Sequence, residues 1–488
     1  MTEARQASCA SWTPSSLAPL VSGSSSGDPT IVTALVAAAL LAAATSVAPA
    51  GSATSVAPAG SATAGAAQAP AAPAGTGLES PRLEAGSSST AVAQFWARIA
   101  RDGAPLVEPL DAARQLVTFL WRGTDTTRNV RLFWSVRLVG TDTPWLTRLP
   151  GTDIWYKTTR LPRGTRLSYQ FVPDLDVAAG QSRDALRRAI LAGAQPDPLN
   201  SRQWSNDPSA GGSGVASILE LDGAPRPSWQ PLPGPRPAGA LTWQRVTSAT
   251  LDNTRDVAVV RPADAGRTTA RPWRLLVLLD GESYARAVDV PAMLAALAAD
   301  GRIAPTMAVL VANATSTSRA DELTANPRFT RFLADELLPW IRARHPVSAA
   351  ARDVIVAGSS YGGLAATAAA LERPDAFGNV ISLSGSFWWA PERDAGPPAS
   401  RNPFAEANAM AQRVIAWPRR DVRFYLAAGL LEAGTTDEGS GILDTTRHLR
   451  DVLRLKGHDA IAREFAGGHD YLAWIDRLAD GLVALDPH

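Results

Sequence analysis

Three observations predict a two-domain chain in which a small all-β sandwich precedes a larger α/β domain with a mostly parallel sheet. Between about Ser80 and Leu221, short aromatic and β-branched runs are divided by Gly-Thr-Asp and Pro-Arg-Gly turns. After Leu241 the rhythm becomes strand, helix, strand, helix, the pattern of a parallel sheet covered on both faces. The stretch between them, residues 222–240, is proline-rich and reads as a stiff linker. At 488 residues the chain has room for two or three such parts.

Residues 1–79 read as a targeting segment and tether. Ile31 to Ala44 is an apolar run of signal-peptide length, followed by small residues at Ala48-Pro49-Ala50. It is too short and too alanine-rich for a transmembrane helix, so no stable membrane span is expected in the mature chain. Export, to the periplasm, is the expected location, with the cytoplasm as the alternative. A tandem nine-residue repeat, Ala44 to Ser52 and Ala53 to Ser61, continues as an Ala/Pro/Gly/Ser tract with nothing to build a core.

In the second part, 80–221, the apolar runs Leu116–Trp121, Val130–Val136 and Leu167–Phe171 are strand-like, and an amphipathic helix near Ala91–Ala100 precedes them. The expected fold is an immunoglobulin-like sandwich. In the third part, 241–488, candidate strands are Arg255–Val260, Arg274–Leu279, Thr306–Val311, Asp353–Ala357, Asn379–Leu383, Val422–Ala427 and Ala462–Phe465. Helices are expected near 289–300, 328–344, 362–373, 403–415, 442–456 and 470–484.

Composition narrows the function by exclusion. A formal net charge of +1 gives no support for nucleic-acid binding or for attraction to an acidic surface. Basic charge is almost all arginine, with Lys157 and Lys456 the sole lysines. The single cysteine, Cys9, cannot form an internal disulfide or a cysteine-rich metal site. No metal-ligand spacing, phosphate loop or dinucleotide fingerprint is present, and no cofactor is expected.

The chemistry is concentrated at Gly358-Ser359-Ser360-Tyr361-Gly362, with Gly363 behind it. An apolar strand runs into this G-x-S-x-G and an Ala/Leu helix, Leu364 to Leu371, runs out of it. A serine on a strand-to-helix turn is lifted above the sheet edge, with small neighbours that let the backbone turn sharply. In an otherwise Gly- and Ser-rich chain such a pattern can be only a turn; the flanking strand and helix favour a nucleophile, in an α/β-hydrolase architecture.

A serine hydroxyl needs a base. Of five histidines, His345 sits before Pro346, His448 lies on an amphipathic helix, His458 follows the helix stop Gly457, and His488 is terminal. His469, in Gly467-Gly468-His469-Asp470 directly after the last strand, remains. The orienting acid should follow the penultimate strand, since chain order in this fold is Ser, acid, His. Glu432 is the first acid beyond that strand, with Asp437 and Glu438 as rivals. Two backbone N–H groups should hold the oxyanion: Tyr361, directly after the nucleophile, and Glu282, in the turn Asp280-Gly281-Glu282 after Leu275–Leu279.

With these residues in place the chain resembles the enterochelin (enterobactin) esterases in both domains, over roughly 80–488. The likeness is carried by Leu278-Leu279-Asp280-Gly281, Arg319-Ala-Asp-Glu322-Leu323, Ala357–Gly363, Ser384-Gly385-Ser386-Phe387-Trp388-Trp389, Leu431-Glu432-Ala433-Gly434 and Gly467–Asp470. In the N-terminal half it includes Val117–Arg122, Gly151–Tyr156 and Asp197-Pro198-Leu199-Asn200. The resemblance implies hydrolysis of a ferric catecholate trilactone siderophore, with Ser360 as nucleophile and His469 as base. It also implies that Arg319, Glu322, Trp388 and Trp389 line the substrate pocket; arginine and aromatic faces suit a planar-ringed anion. Against this, Arg319 and Glu322 have the spacing of a structural ion pair, and the tryptophans that of a strand-end core.

Two other readings fit the same residues. The first is an exported esterase for feruloyl or carbohydrate esters, its sandwich binding polysaccharide through Trp121, Trp134 and Trp155. Exposed coplanar tryptophans favour it, and buried ones the siderophore. The second is a non-catalytic siderophore-binding protein that merely keeps the fold.

Overall fold

The computed structural model describes residues 80–83, 88–136, 142–178, 181–205, 214–229, 241–262, 271–391, 408–436 and 439–486. The expected leader and repeat at 1–79, most of the linker, and the rival acids Asp437 and Glu438 lie outside them.

The N-terminal part is two four-stranded antiparallel sheets. One is ordered Leu106–Pro109, Arg114–Arg122, Ile154–Pro162, Thr147–Arg148, and the other Val130–Trp134, Arg166–Pro173, Val215–Glu220, Gln203–Ser205. Val117, Phe119, Leu132, Tyr169 and Phe171 pack between them. A helix, Ser89–Asp102, covers the outer face of the first sheet, where Phe95, Trp96 and Ile99 meet Leu120 and Ile154. Both faces of Arg114–Arg122 are therefore buried, which explains why its sequence is apolar almost throughout. Sequence reading missed the strand Ile154–Pro162, whose Lys157-Thr158-Thr159-Arg160 stretch breaks the apolar alternation, and the helix Arg183–Gly193, signalled only by its N-cap Ser182.

The tryptophans of this domain do not form an exposed platform. Trp134 and Trp155 are buried, and half-buried Trp121 stands edge-on to Phe171 with ring centroids 5.5 Å apart.

The Asp197–Asn200 motif is a buried polar joint. Asp197 accepts hydrogen bonds from the Tyr169 hydroxyl at 2.8 Å and from the Leu199 amide at 2.8 Å. Burial raises its carboxyl to about 6, against the opposing pull of these donors. Between its unfolded value of 3.8 and about 6 the native carboxyl holds a proton that the unfolded chain has released. Stability is therefore lost as pH rises through that window, by about 3 kcal/mol. Asp197→Asn should flatten this dependence, which urea unfolding of both chains at about pH 4.5 and pH 7 will measure.

The C-terminal part is an eight-stranded sheet. Its strands are β1 (Thr242–Ser248), β2 (Asn253–Val260), β3 (Arg274–Leu279), β4 (Thr306–Val311), β5 (Val354–Ser359), β6 (Asn379–Leu383), β7 (Arg423–Gly429) and β8 (Asp459–Phe465), in the order β8-β7-β6-β5-β3-β4-β2-β1. All pairs from β4 to β8 across the sheet are parallel, and β2 runs antiparallel to both its neighbours. Alternate residues of β3 serve opposite cores: Leu275, Val277 and Leu279 face one layer of helices, Leu276 and Leu278 the other. Each such side chain contributes roughly 1.5–3 kcal/mol by leaving water.

Expected strand positions hold throughout, and the differences are local. β1 went unrecognised because it is a polar edge strand with only Val246 and Ser248 buried. The helix expected over 328–344 is divided into Pro327–Arg331, a π-helical turn Phe332–Leu337, and Leu338–Arg342. Pro339 has no N–H to give to a continuous α-helix, and the wider turn just before it accommodates that loss. Two helices went unpredicted. Gly281–Ala287 begins on a glycine without a side-chain cap, whereas Ser316–Leu323 carries a readable capping box, Thr315 with Ser318.

Candidate active site

β5 ends at Ser359, and the next residue turns at φ 56°, ψ −122° before the helix Tyr361–Glu372 begins. This conformation costs Ser360 roughly 1–3 kcal/mol and survives because its neighbours over-determine it. Its amide donates to Leu383 O at 2.9 Å and its carbonyl accepts from Ser386 N at 3.1 Å. The motif glycines are required by close approach. A Cβ on Gly358 would lie 2.6 Å from Gly362 C, and one on Gly363 2.5 Å from Ser382 Oγ. Ser360 is 1% exposed, and its Oγ hydrogen-bonds Ser386 Oγ at 3.2 Å.

His469 and Glu432 meet as expected. Nδ1 of His469 lies 2.6 Å from Glu432 Oε1. The other carboxylate oxygen accepts from Gly429 N at 2.6 Å and from Ser384 Oγ at 2.7 Å. Ser384 in turn accepts from Trp474 Nε1 at 2.9 Å, and the Trp474 ring stands edge-on to the imidazole, 4.8 Å away. The acid is thus anchored at the end of β7, the base just beyond β8. The relay is closed at the carboxylate end and open at the serine end: among the described residues His469 Nε2 is buried without a hydrogen-bond partner, while Ser360 Oγ rests on Ser386. Sequence reading missed Ser384 and Ser386, although both stand in the Ser-Gly-Ser that closes β6.

The two expected oxyanion amides stand at helix starts. Tyr361 opens the helix behind Ser360, and Glu282 is the second residue of Gly281–Ala287; neither helix receives a side-chain cap. First-turn N–H groups have no partner within their helix and carry its positive end. Gly281 is forced by contact, since a Cβ there would lie 2.5 Å from both Leu310 C and Val311 N. The turn is braced by charge. Arg319 donates to both oxygens of Asp280, at 2.7 and 2.8 Å, and Asn313 Nδ2 bridges Asp280 and Glu282 at 2.7 and 2.8 Å. Burial first, then the Asp280 charge beside it, raises the Glu282 carboxyl.

The expected pocket charges are turned inward. Arg319 and Glu322 are 6% and 5% exposed and do not pair with each other. Arg319 clasps Asp280 and lies over the Tyr361 ring, whereas Glu322 takes both guanidinium nitrogens of Arg255, at 2.8 and 2.9 Å, with Asn253 beside them. Burial opposes the Arg319 charge, and the Asp280 carboxylate overrides it, so its pKa is raised. Arg319→Met leaves the buried Asp280 carboxylate without its counter-charge, although Asn313 still donates to it. It should cost about 3–5 kcal/mol in denaturant unfolding, a loss that a purely substrate-facing arginine would not produce. Trp388 and Trp389 are both half-buried, with the Trp388 ring 6.0 Å from that of Tyr361, so an aromatic wall adjoins the nucleophile turn. Among the described residues no cluster of His, Cys, Asp and Glu could hold a metal ion.

A serine at the elbow of a mostly parallel sheet, with a carboxylate-held histidine beyond the last strand, defines a serine esterase of the α/β-hydrolase fold. Residues 248–485 match the Esterase family, and residues 116–230 match the enterochelin esterase N-terminal family. The iron(III) enterobactin esterase of Escherichia coli strain CFT073 is 34% identical over 391 residues, 76% of this chain and 90% of that protein. The iron(III) salmochelin esterase of the same strain is 31% identical over 407 residues, covering 80% and 93%. The crystal structure of the Shigella flexneri enterobactin esterase in the presence of enterobactin superposes with a TM-score of 0.61 at 30% identity, covering 80% of this chain and 97% of that one. The chain belongs to the enterochelin esterase family.

Proposed function

We propose that this esterase hydrolyses the backbone ester bonds of a ferric catecholate trilactone siderophore of the enterobactin type and so releases its iron. The observation that carries this reading is the match of the N-terminal domain as well as the catalytic one to proteins named for ferric enterobactin and salmochelin. Burial of Trp134 and Trp155 removes the tryptophan platform on which the carbohydrate-ester reading depends and weighs against it.

In this reading Ser360 Oγ attacks the ester carbonyl carbon while His469 Nε2 takes its proton. Glu432 holds the ring and stabilises the imidazolium. The amides of Tyr361 and Glu282 hold the oxyanion, each worth on the order of 3 kcal/mol in the barrier. The imidazolium returns its proton to the departing seryl hydroxyl, leaving an acyl-enzyme on Ser360. Water, activated by the same imidazole, then releases the acid. Trp388 and Trp389 offer faces to catechol rings. Arg319 and Glu322 act through the turn and core that they brace.

Chromatography and mass spectrometry of ferric enterobactin after incubation with the enzyme test the substrate. Linear trimer, dimer and monomer of dihydroxybenzoylserine support the reading; an intact trilactone alongside turnover of a small aryl ester overturns it. The apolar run 31–44 and the small residues after it support export to the periplasm. Cell fractionation with N-terminal sequencing decides between that and a cytoplasmic enzyme retaining its leader. Among the described residues no helix is long and apolar enough to cross a membrane.

A further inference from the structure

The loop that carries His469 is held by the other domain. Ala466 O accepts from Arg166 N at 3.0 Å, and the backbone amide of His469 itself donates to Ser135 O at 3.0 Å. One residue on, the buried Asp470 carboxylate accepts from Ser168 N at 2.7 Å, Ser168 Oγ at 2.9 Å and Ser135 Oγ at 3.4 Å. Ser135 directly follows the sandwich strand Val130–Trp134, and Ser168 lies within Arg166–Pro173, its hydrogen-bonded neighbour. From the catalytic domain the loop receives Leu431 N on Gly467 O at 3.1 Å, and the Glu432 carboxylate on the imidazole.

The paired glycines of this loop are explained by the same contact. Neither Gly467 nor Gly468 adopts a positive φ, so conformational freedom is not what they supply. A Cβ on Gly468 would lie 2.2 Å from Ser135 O, and one on Gly467 3.0 Å from both Arg166 O and the Phe465 ring. The Ser135 and Arg166 oxygens are sandwich backbone, which cannot rotate away. The glycines let the base loop seat against the N-terminal domain.

We propose that the β-sandwich is a positioning part of the catalytic apparatus: Ser135, Arg166 and Ser168 fix the Ala466–Asp470 loop and, through it, His469. The N-terminal domain then governs turnover of any ester, however small, and not siderophore binding alone. The inference rests on His469 as the base and is independent of the natural substrate. A displacement of the imidazole by about 1 Å is enough to cost on the order of 100-fold in kcat.

Gly468→Ala, Asp470→Asn and Ser168→Ala in the full chain test this, with p-nitrophenyl acetate and ferric enterobactin as substrates and His469→Ala alongside. Gly468→Ala adds one methyl whose nearest neighbours all belong to Ser135. Asp470→Asn keeps an oxygen for Leu472 N, which Asp470 Oδ1 now caps at 2.5 Å, while turning an amide nitrogen toward the Ser168 donors. Both should lower kcat on the two substrates by a common factor near 100, with KM changed by less than about threefold and circular dichroism unaltered. If Gly468→Ala fails to fold, the Asp470→Asn and Ser168→Ala cycle decides: a double variant no slower than Asp470→Asn supports the proposal, and additive losses overturn it. An unchanged kcat on the aryl ester with a raised KM for ferric enterobactin also overturns it, because the sandwich then serves substrate alone. Activity retained in His469→Ala identifies a failure of the base assignment instead.

Discussion

Ser360→Ala should lose on the order of 10⁴- to 10⁶-fold in kcat on any ester while folding and binding substrate normally. In the proposed mechanism the lost atom is the one that forms the acyl-enzyme bond, and what survives is stabilisation of the transition state by the Tyr361 and Glu282 amides and by substrate positioning. Stability should change little, because among the described residues Ser360 Oγ makes one hydrogen bond, to Ser386, and alanine meets the same φ of 56°. Steady-state hydrolysis, with fluorophosphonate labelling read by intact-mass analysis, measures the effect. Labelling lost in Ser360→Ala also removes the reading of a non-catalytic binding protein. Retention of a tenth or so of the activity would move the nucleophile to Ser386, the hydroxyl beside it.

Glu432→Gln should lower kcat by roughly 10³- to 10⁴-fold and also destabilise the protein. The carboxylate is 3% exposed and serves three donors: the imidazole, Gly429 N and Ser384 Oγ. A carboxamide has one oxygen. If that oxygen faces His469, its NH₂ is driven against the Gly429 N–H; if it faces Gly429, the imidazole confronts a donor and takes the wrong tautomer. Either arrangement leaves a buried donor unmet, at about 1–3 kcal/mol in denaturant unfolding. Alanine at Asp437 or Glu438 should leave kcat within about twofold, and a large loss at either would transfer the orienting role to it.

Much of this site is legible in the residues themselves. A serine between a strand and a helix and a histidine behind the last strand follow from strand-helix alternation and from chain order, both local properties. The parallel strands are equally plain, because burial on two faces leaves a continuous apolar run such as Leu275–Leu279. The edge strand Thr242–Ser248 and the cap-less helix Gly281–Ala287 are not, since one is polar on its exposed side and the other is set by contact with Leu310 and Val311.

Side-chain roles divide in the same way. Sequence alone determined the fold class, the nucleophile turn and the chain order of serine, carboxylate and histidine. Tertiary structure alone decided which oxygen each charge would meet. Arg319 and Glu322, one helical turn apart, read as a pair or as a substrate clamp. They are instead bonded to Asp280 and Arg255, because burial requires each charge to find the partner that the sheet brings beside it. Gly467 and Gly468 are, in sequence, only the residues between the last strand and His469, yet their lack of a side chain answers in part to the Ser135 and Arg166 backbone more than 300 residues earlier in the chain. Contacts of that range depend on how two independently patterned domains dock, and no local periodicity records it.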